Sequence, residues 1–441
     1  MVRFSGNKIE MQKITWIKIK EIWNHTGFQK YLKNTGWMFF GRFFTLGVSF
    51  FVGIYIARYL GPSNYGLLSY VASFVGIFGF LASFGIDSIL SREIIKDHDK
   101  KDELIGTAFY IKVIGSVVAI LSIFIVSIFT TRDLFTLGLI WIFSLSFIPQ
   151  AFNIIEIYFQ SQVLSKTIVI AQVTSNICSV ILKILVIILN KGIFWLTLII
   201  VVESLIYGGI ILFNYRKFGN HIKDWKFNKN VAKSLLKDSW PLMLSAAAAG
   251  IYMKIDQVMI KNMLGNEQSG IYAVAVRISE IWYFIPGIIC GSIFPAIANA
   301  KKLGNEIFQK RISKLLSAMF WLSFIIALPI SFFSKQIINI LYGQAYIGAS
   351  VALSIYVWAG ICISLWMALN QYFIITKSTK ILFYTALIGV VTNIGLNIIL
   401  IPKLQVSGAS LATLISYSVV TICLLLFKKY QPKEKITNIL K

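Results

Sequence analysis

Twelve apolar runs, each about 20 residues long, follow one another along the chain and constrain its fold more than any other feature. A helix of that length crosses the ~30 Å hydrocarbon core of a bilayer. With 57% hydrophobic and 14% charged residues among 441, the chain has more apolar surface than a soluble protein can bury. An all-α integral membrane protein with twelve transmembrane helices is therefore predicted. The runs cover residues 37–59, 65–90, 105–129, 134–160, 168–190, 192–214, 238–262, 269–294, 315–333, 348–375, 381–401 and 407–427.

The basic residues outside the runs are divided unevenly between the two sides of the membrane. If the N-terminus is cytoplasmic, 31 of the 42 Lys and Arg residues face the cytoplasm and 6 lie in the turns on the other side. Cytoplasmic loops carry such an excess, so both termini are predicted to be cytoplasmic. The net charge of +24 is then a topology signal and an attraction to anionic membrane lipids, and it requires no nucleic-acid partner.

A short turn motif of the form LG-x4-G occurs twice, at Leu60–Gly66 and at Leu264–Gly270. The longest polar segment between runs, residues 215–237, divides the runs six and six. Because six is even, both halves enter the membrane in the same orientation, and we expect parallel repeats. The predicted domains are a basic cytoplasmic or interfacial segment (1–34), a first lobe (35–214), a cytoplasmic linker (215–237), a second lobe (238–427) and a basic cytoplasmic tail (428–441).

Charged residues also lie within the runs, all of them in the first eight, where hydrocarbon would surround them. A charge at bilayer depth costs at least ~2.5 kcal/mol, so it marks a pair or a water-filled path. Polar faces on runs two, four and five indicate the walls of one aqueous cavity, lined mainly by runs one to eight. The candidate cavity residues are Arg42, Lys112, Lys183, Lys254, Asp256, Arg277 and Glu280, with Arg58, Asp87, Glu156, Asn176 and Glu203 as a secondary set.

The chemistry of these candidates leaves two interpretations open. Deep arginines suit an anionic cargo, because guanidinium groups bind phosphate through paired N–H donors. Arg277 and Glu280 are three residues apart and can form a pair on one helical face. For Asp87, Glu156 and Glu203, a role in holding helices together is as well supported as a role in the cavity.

The sequence contains no pattern typical of an enzyme or a metal site. It has no GxxxxGK[ST] motif for phosphate binding, and its four cysteines and three histidines lack metal-ligand spacing. No pair of carboxylates occupies a domain outside the membrane. We therefore predict no catalytic residues, no metal and no cofactor.

Four segments resemble a known family: the polysaccharide repeat-unit flippases of the Wzx type, within the superfamily that also holds MurJ-type lipid II flippases and MATE exporters. The segments are GRFFTLGVSFFVGIYIARYLGPSNYGLLSY, FGIDSILSREI, IDQVMIKNMLGNEQSGIYAVAVRISE and VTNIGLNIILIPKLQVSGASLATLISY. The resemblance implies two six-helix lobes in a V shape, a central cavity and alternating access. Arg42 and Arg277 match the places of two cavity arginines in lipid II flippases. The chain ends soon after run twelve, which favours the polysaccharide branch.

The function implied by the resemblance is transport of undecaprenyl-diphosphate-linked oligosaccharides, of O-antigen or capsule type, to the outer leaflet of a bacterial inner membrane. The expected partners are this substrate, a polysaccharide polymerase and chain-length proteins, with Na⁺ or H⁺ as a candidate coupling ion. Two alternatives remain open. One is an ion-coupled exporter of small molecules like the MATE proteins, and the other is a scaffold without transport activity.

Overall fold

The computed structural model describes residues 26–97 and 99–430, and within these ranges the chain is almost entirely helical and contains no strand. The predicted all-α class is therefore confirmed. Most of the predicted segments 1–34 and 428–441 lie outside the described residues. The helices are α1 (Thr26–Ile77), α2 (Gly79–Ser83), α3 (Asp87–Lys96), α4 (Lys101–Thr130), α5 (Leu134–Ser144), α6 (Phe147–Gln150), α7 (Ile154–Ser161), α8 (Ser165–Ile188), α9 (Ile193–Lys217), α10 (Lys229–Leu264), α11 (Asn266–Glu280), α12 (Phe284–Leu303), α13 (Asn305–Phe332), α14 (Ser334–Tyr342), α15 (Ala349–Tyr356), α16 (Ala359–Ile375) and α17 (Lys380–Tyr430).

Two helices are long enough to cross a membrane twice: α1 has 52 residues and α17 has 51. Each is interrupted by a residue with positive φ, Gly61 in α1 and Gln405 in α17. The chain reverses at the second interruption, because a Cβ atom added to Gly408 would lie 2.3 Å from the carbonyl oxygen of Leu400. Eight residues of straight helix would separate them by about 12 Å.

The number of membrane crossings agrees with the twelve predicted runs. Nine helical stretches in the described part of the chain are long and apolar enough to cross a membrane, and the two doubled helices are among them. The remaining crossing is α10, which is 36 residues long. Its lower hydropathy reflects charged residues such as Lys254 and Asp256.

The two copies of the turn motif have the same backbone conformation and contact each other. Gly61 has φ 68° and ψ 172°, and Gly265 has φ 91° and ψ −179°. Only glycine adopts this region readily. A Cβ on Gly66 would lie 1.9 Å from the carbonyl oxygen of Asn266, and one on Gly270 would lie 2.0 Å from that of Pro62. The contact is reciprocal, so a pseudo-twofold axis passes between the lobes here, as expected for parallel repeats.

Further hydrogen bonds join the lobes at this end of the bundle, which we call the turn end. The guanidinium group of Arg58 donates through Nε to the carbonyl oxygen of Leu341 (2.8 Å) and through Nη2 to that of Ile340 (2.5 Å). These carbonyls belong to the last turn of α14, where the helix leaves its own acceptors unpaired. Tyr346 donates its hydroxyl to the carbonyl oxygen of Ala57 at 2.7 Å.

At the opposite end, which carries residues 215–237 and is called the linker end, α3 and α10 also join the lobes. Arg92 and Asp238 form an ion pair at 2.9 Å. The predicted linker is partly helical, since α9 extends to Lys217 and α10 begins at Lys229. The rest of it packs on the first lobe. The exact lobe limits, 35–214 and 238–427, stay predictions.

Candidate functional site

Three cavities lie in a row through the two lobes. The first-lobe cavity has a volume of about 600 Å³ and walls from α2, α3, α4, α6 and α7. The central cavity, about 820 Å³, lies between α1, α7 and α8 on one side and α12 on the other. The second-lobe cavity, about 530 Å³, is enclosed by α1, α10, α12, α16 and α17. Glu156 and Gln160 border both the first and the central cavity, and Arg42 borders both the central and the second.

The first-lobe cavity has polar walls. Lys112, buried with 6% of its side chain exposed, forms an ion pair with Asp87 at 2.6 Å. Glu156 accepts hydrogen bonds from the hydroxyl of Tyr207 (2.7 Å) and from Nε2 of Gln160 (3.1 Å). Run two contributes Asp87 and run four contributes Glu156, so the structure brings two of the expected polar faces together, whereas the polar face of run five does not line this cavity.

The second-lobe cavity has a largely aromatic wall. Its aromatic lining residues are Tyr252, Tyr283, Phe284, Trp366 and Tyr417. Glu280 also lines it and accepts a hydrogen bond from the hydroxyl of Tyr356 at 2.9 Å. This wall includes runs ten, eleven and twelve, which the distribution of charges did not predict to line a cavity.

Arg42 occupies the junction between the central cavity and the aromatic one. Its side chain is exposed, and within residues 26–97 and 99–430 it forms no hydrogen bond or ion pair. A guanidinium group has five N–H donors, so all of its hydrogen-bonding capacity is directed at water or at a ligand.

Arg277 does not pair with Glu280, and that prediction is wrong. The Nη2 atom of Arg277 donates instead to the carbonyl oxygen of Ser49 in α1, across the lobe interface. A Cβ on Gly53 would lie 2.3 Å from the same nitrogen, so the glycine makes room for it. Sequence spacing could not predict this partner, because the acceptor is a backbone carbonyl of the other lobe.

Arg277 is also separated from Arg42. Ser49 lies seven residues after Arg42, or about 10 Å along the helix. Arg277 is not among the residues that line the three cavities. In this conformation a single diphosphate group at Arg42 therefore has no contact with Arg277.

The remaining predicted site residues lie outside the three cavities. Lys183 pairs with Glu203 at 3.0 Å within the first lobe. Lys254 is exposed, and Asn176 is buried with no partner for its Oδ1 atom among the described residues. Arg58 lies at the turn end, as described above.

Asp256 lies in the interior of the second lobe, with 4% exposure. It accepts hydrogen bonds from the Tyr272 hydroxyl (2.9 Å), from Nδ2 of Asn397 (2.6 Å) and from the Thr413 hydroxyl. Two helices, α11 and the doubled α17, thus supply three donors to one carboxylate. Of the twelve predicted residues, those that line a described cavity are Arg42, Asp87, Lys112, Glu156 and Glu280.

Sequence analysis missed the aromatic wall and the glycines beside it. Gly287 borders both the central and the second-lobe cavity, and Gly291 borders the central one. A Cβ on Gly291 would meet no atom within 4 Å. Their spacing of four residues on α12 and the aromatic content of runs ten and twelve were the available signals.

The described fold is that of a multi-pass membrane protein and is shared with solved structures of transporters. One solved structure, described as the inward-facing conformation of a multidrug resistance MATE family transporter of the MOP superfamily, superposes with a TM-score of 0.73 at 16% identity, covering 87% of this chain and 93% of the other. The lipid II flippase MurJ in an inward closed conformation gives a TM-score of 0.70 at 19% identity, covering 89% and 87%. These similarities establish the fold.

Sequence comparison defines the family. The profile of the polysaccharide biosynthesis protein family matches residues 31–301, so the chain belongs to this family. A relative from Haloferax volcanii, the probable low-salt glycan biosynthesis flippase Agl15, is 25% identical over 402 residues, or 87% of this chain and 80% of the relative. The capsular polysaccharide biosynthesis protein CapF of Staphylococcus aureus is 22% identical over 407 residues, or 90% and 99%.

Proposed function

We propose that this protein is a flippase that moves a lipid-linked oligosaccharide across a cell membrane. The family and the names of the relatives support a glycan cargo. The observation that carries the proposal is the position of Arg42, whose guanidinium group has no partner among the described residues and lies where the central cavity, next to the polar first-lobe cavity, meets the aromatic one. The cargo has the same order of parts: sugars, then a diphosphate, then an apolar polyprenyl chain.

Each part of the cargo matches a different region of the protein. Sugar hydroxyls require the hydrogen-bonding groups that border the first-lobe cavity. The diphosphate would bind Arg42, because guanidinium donors form paired, charge-assisted bonds to phosphate oxygens. The first units of the polyprenyl chain would contact the aromatic wall around Tyr252 and Trp366 before the chain enters the lipid.

A more specific cargo and direction of transport can be proposed from the sequence analysis. We propose an undecaprenyl-diphosphate-linked repeat unit, moved from the inner to the outer leaflet of a bacterial cell membrane, with both termini cytoplasmic. A surface polysaccharide polymerase and chain-length proteins would then use the product. An inside-negative potential favours outward movement of the diphosphate by ~2.3 kcal/mol per charge per 100 mV.

Arg277 would act in a different conformation from Arg42. Its bond to the Ser49 carbonyl joins the lobes near the turn end, so opening that end must break the bond. The freed guanidinium group would then be available to the diphosphate. Alternating access would thus transfer the anion from Arg42 towards Arg277.

Asp256 is the proposed site of ion coupling. Its carboxylate lies inside the membrane, apart from the cavities, and receives donors from α11 and from both arms of α17. Binding of H⁺ or Na⁺ would change which of these donors it retains. If Asp256→Asn leaves the dependence of transport on an ion gradient unchanged, this assignment is wrong.

The test of the main proposal uses purified protein in proteoliposomes that contain a polyprenyl-diphosphate-linked oligosaccharide. Arg42→Ala is expected to lower the transport rate per folded molecule about ten-fold or more, because charge-assisted bonds to the diphosphate are lost. Arg42→Lys should retain part of the rate. The control is Arg132→Ala, which removes an exposed arginine from a turn outside the cavities and should have no effect. Normal transport by Arg42→Ala would overturn the proposal.

The exporter alternative is favoured by one observation. An aromatic cavity that contains the carboxylate of Glu280 also suits an aromatic organic cation. Transport of tetraphenylphosphonium by the same proteoliposomes, lost in Glu280→Gln while the lipid-linked oligosaccharide is not moved by the unaltered protein, would establish the alternative.

A further inference from the structure

We propose that the first-lobe cavity selects uncharged sugars and rejects acidic ones. The inference rests on the proposed flippase function and names the glycans that this protein can carry. It concerns the walls formed by Asp87, Lys112 and Glu156, and it is independent of the diphosphate contact at Arg42.

The charge of the cavity wall is negative. Two carboxylates, Asp87 and Glu156, and one ammonium group, Lys112, line it. The ammonium group lies 2.6 Å from Asp87 and is nearly inaccessible, so its charge is already compensated. Glu156 has hydrogen-bond donors from Tyr207 and Gln160 but no cation within ion-pair distance among the described residues. The charge that remains for a ligand is therefore that of Glu156.

The same wall offers hydrogen-bonding groups in fixed positions. Tyr207 and Gln160 orient the two oxygens of Glu156, and each oxygen keeps a lone pair for a further donor. The Oδ1 atom of Asn153, another wall residue, is buried and has no partner among the described residues. The Ser116 hydroxyl donates to the carbonyl of Phe147 at 2.9 Å, which leaves its oxygen as an acceptor. Sugar hydroxyls in the cavity can donate to the remaining lone pairs of Glu156, the acceptor of this wall that keeps part of its surface accessible.

An acidic sugar would meet two penalties in this cavity. Its carboxylate would approach Glu156 in surroundings less polar than water, where like charges repel strongly. It could gain the cation of this wall only by taking the buried Lys112 from Asp87, which would break an existing ion pair. Neutral sugars, with or without acetamido groups, incur neither penalty.

The contrast with Arg42 explains how one protein can accept an anionic cargo and still reject an acidic sugar. The unpaired guanidinium group borders the central cavity, on the other side of Glu156 and Gln160. The carboxylate of Glu156 thus separates the place for the diphosphate from the place for the sugars. A negative charge is favoured on the Arg42 side of Glu156, in the central cavity, and disfavoured on the other side, in the first-lobe cavity.

The experiment compares two probes that differ at one carbon. Both are polyprenyl-diphosphate-linked disaccharides of N-acetylglucosamine, one ending in glucose and the other in glucuronate. In proteoliposomes, the unaltered protein should move the glucose probe at least ~10-fold faster than the glucuronate probe, because only the latter is repelled. Glu156→Gln should reduce that ratio to about three or less, since the like charge is gone.

A ratio of rates within one variant cancels differences in the amount of folded protein. The matched control is Glu306→Gln, which makes the same change at an exposed position on α13 and should keep the original ratio. Equal rates for both probes in the unaltered protein, or an unchanged ratio in Glu156→Gln, would overturn the inference while the flippase function stands. Movement of neither probe above that in protein-free liposomes would overturn the function, and the inference with it.

Discussion

The carboxylates of the two lobes occupy opposite environments. In the first lobe, Glu156 borders two cavities and keeps part of its surface accessible, whereas Asp256 in the second lobe is 4% exposed and has three donors from the protein itself. Both are acidic residues within apolar runs, and the sequence favoured Asp256 over Glu156 as a cavity residue, which is the reverse of where the structure places them. The difference shows that Glu156 has acceptor capacity left for a sugar, whereas the acceptor capacity of Asp256 is committed to donors of its own lobe, which a bound ion would have to displace.

The frames of the two lobes, in contrast, are closely matched. Gly61 and Gly265 share an unusual backbone conformation, and Gly66 and Gly270 contact each other's turn in the same way. The lobes therefore differ in the residues that face inward and agree in the residues that turn the chain. Three sets of substitutions test how far this comparison holds.

The largest effect is expected from removing the committed carboxylate. Asp256→Ala leaves the buried donors of Tyr272, Asn397 and Thr413 without their acceptor, which should destabilise the protein by roughly 3 kcal/mol or more. Glu156→Ala should cost less than about 1 kcal/mol, because cavity water can replace the lost acceptor. Unfolding of both variants in nanodiscs measures the difference. Equal losses would mean that the two carboxylates do not differ in role.

A smaller loss is expected at the symmetric glycine contact. Gly66→Ala and Gly270→Ala each place a methyl group against a backbone carbonyl, and each should cost about 1–3 kcal/mol. The losses should be similar, because the contact is reciprocal. Gly47→Ala is the control, since a Cβ there meets no atom within 4 Å. A clear difference between Gly66→Ala and Gly270→Ala in thermal unfolding would contradict the pseudo-twofold arrangement.

The smallest effect concerns a contact that only one lobe makes. Arg58 bonds the last turn of α14, and Asn262, at the matching place before the second turn motif, is uncharged. Arg58→Ala should favour opening of the turn end by about 1 kcal/mol, or roughly five-fold in population, since the bonds lost are exposed. Spin labels on Ser63 and Lys335, in a cysteine-free background, report this opening as longer distances. An unchanged distance distribution in Arg58→Ala would show that other contacts close this end.

The sequence predicted the features that depend on local pattern. Hydropathy predicted the membrane crossings, and the repeated motif predicted turns that the structure places at Gly61 and Gly265. The same pattern could not predict which polar groups meet. Arg277 matched the spacing of a pair with Glu280, yet its partner is a carbonyl that becomes adjacent only when the lobes assemble.

The aromatic wall was missed for a related physical reason. Charges within apolar runs stand out because they are costly in a membrane, whereas Tyr252 or Trp366 are as acceptable facing lipid as facing a cavity. Only the packing of α10, α12, α16 and α17 decides which side they face. Asp87, Lys112 and Glu156, in contrast, are charged residues within apolar runs. Because such charges are costly in a membrane, the sequence alone indicated these residues of the cavity wall.

The reciprocal contact of Gly66 and Gly270 has a mechanical consequence. At the points of closest approach the two backbones carry no side chains, and the Ser269 hydroxyl donates to the Gly66 carbonyl oxygen beside them at 3.1 Å, so the two turns can roll over one another about this contact. Such a joint is a fulcrum, about which a small rotation at one end becomes a larger displacement at the other. A side chain at either glycine would hold the two turns apart, and the lobes could no longer rotate about this contact.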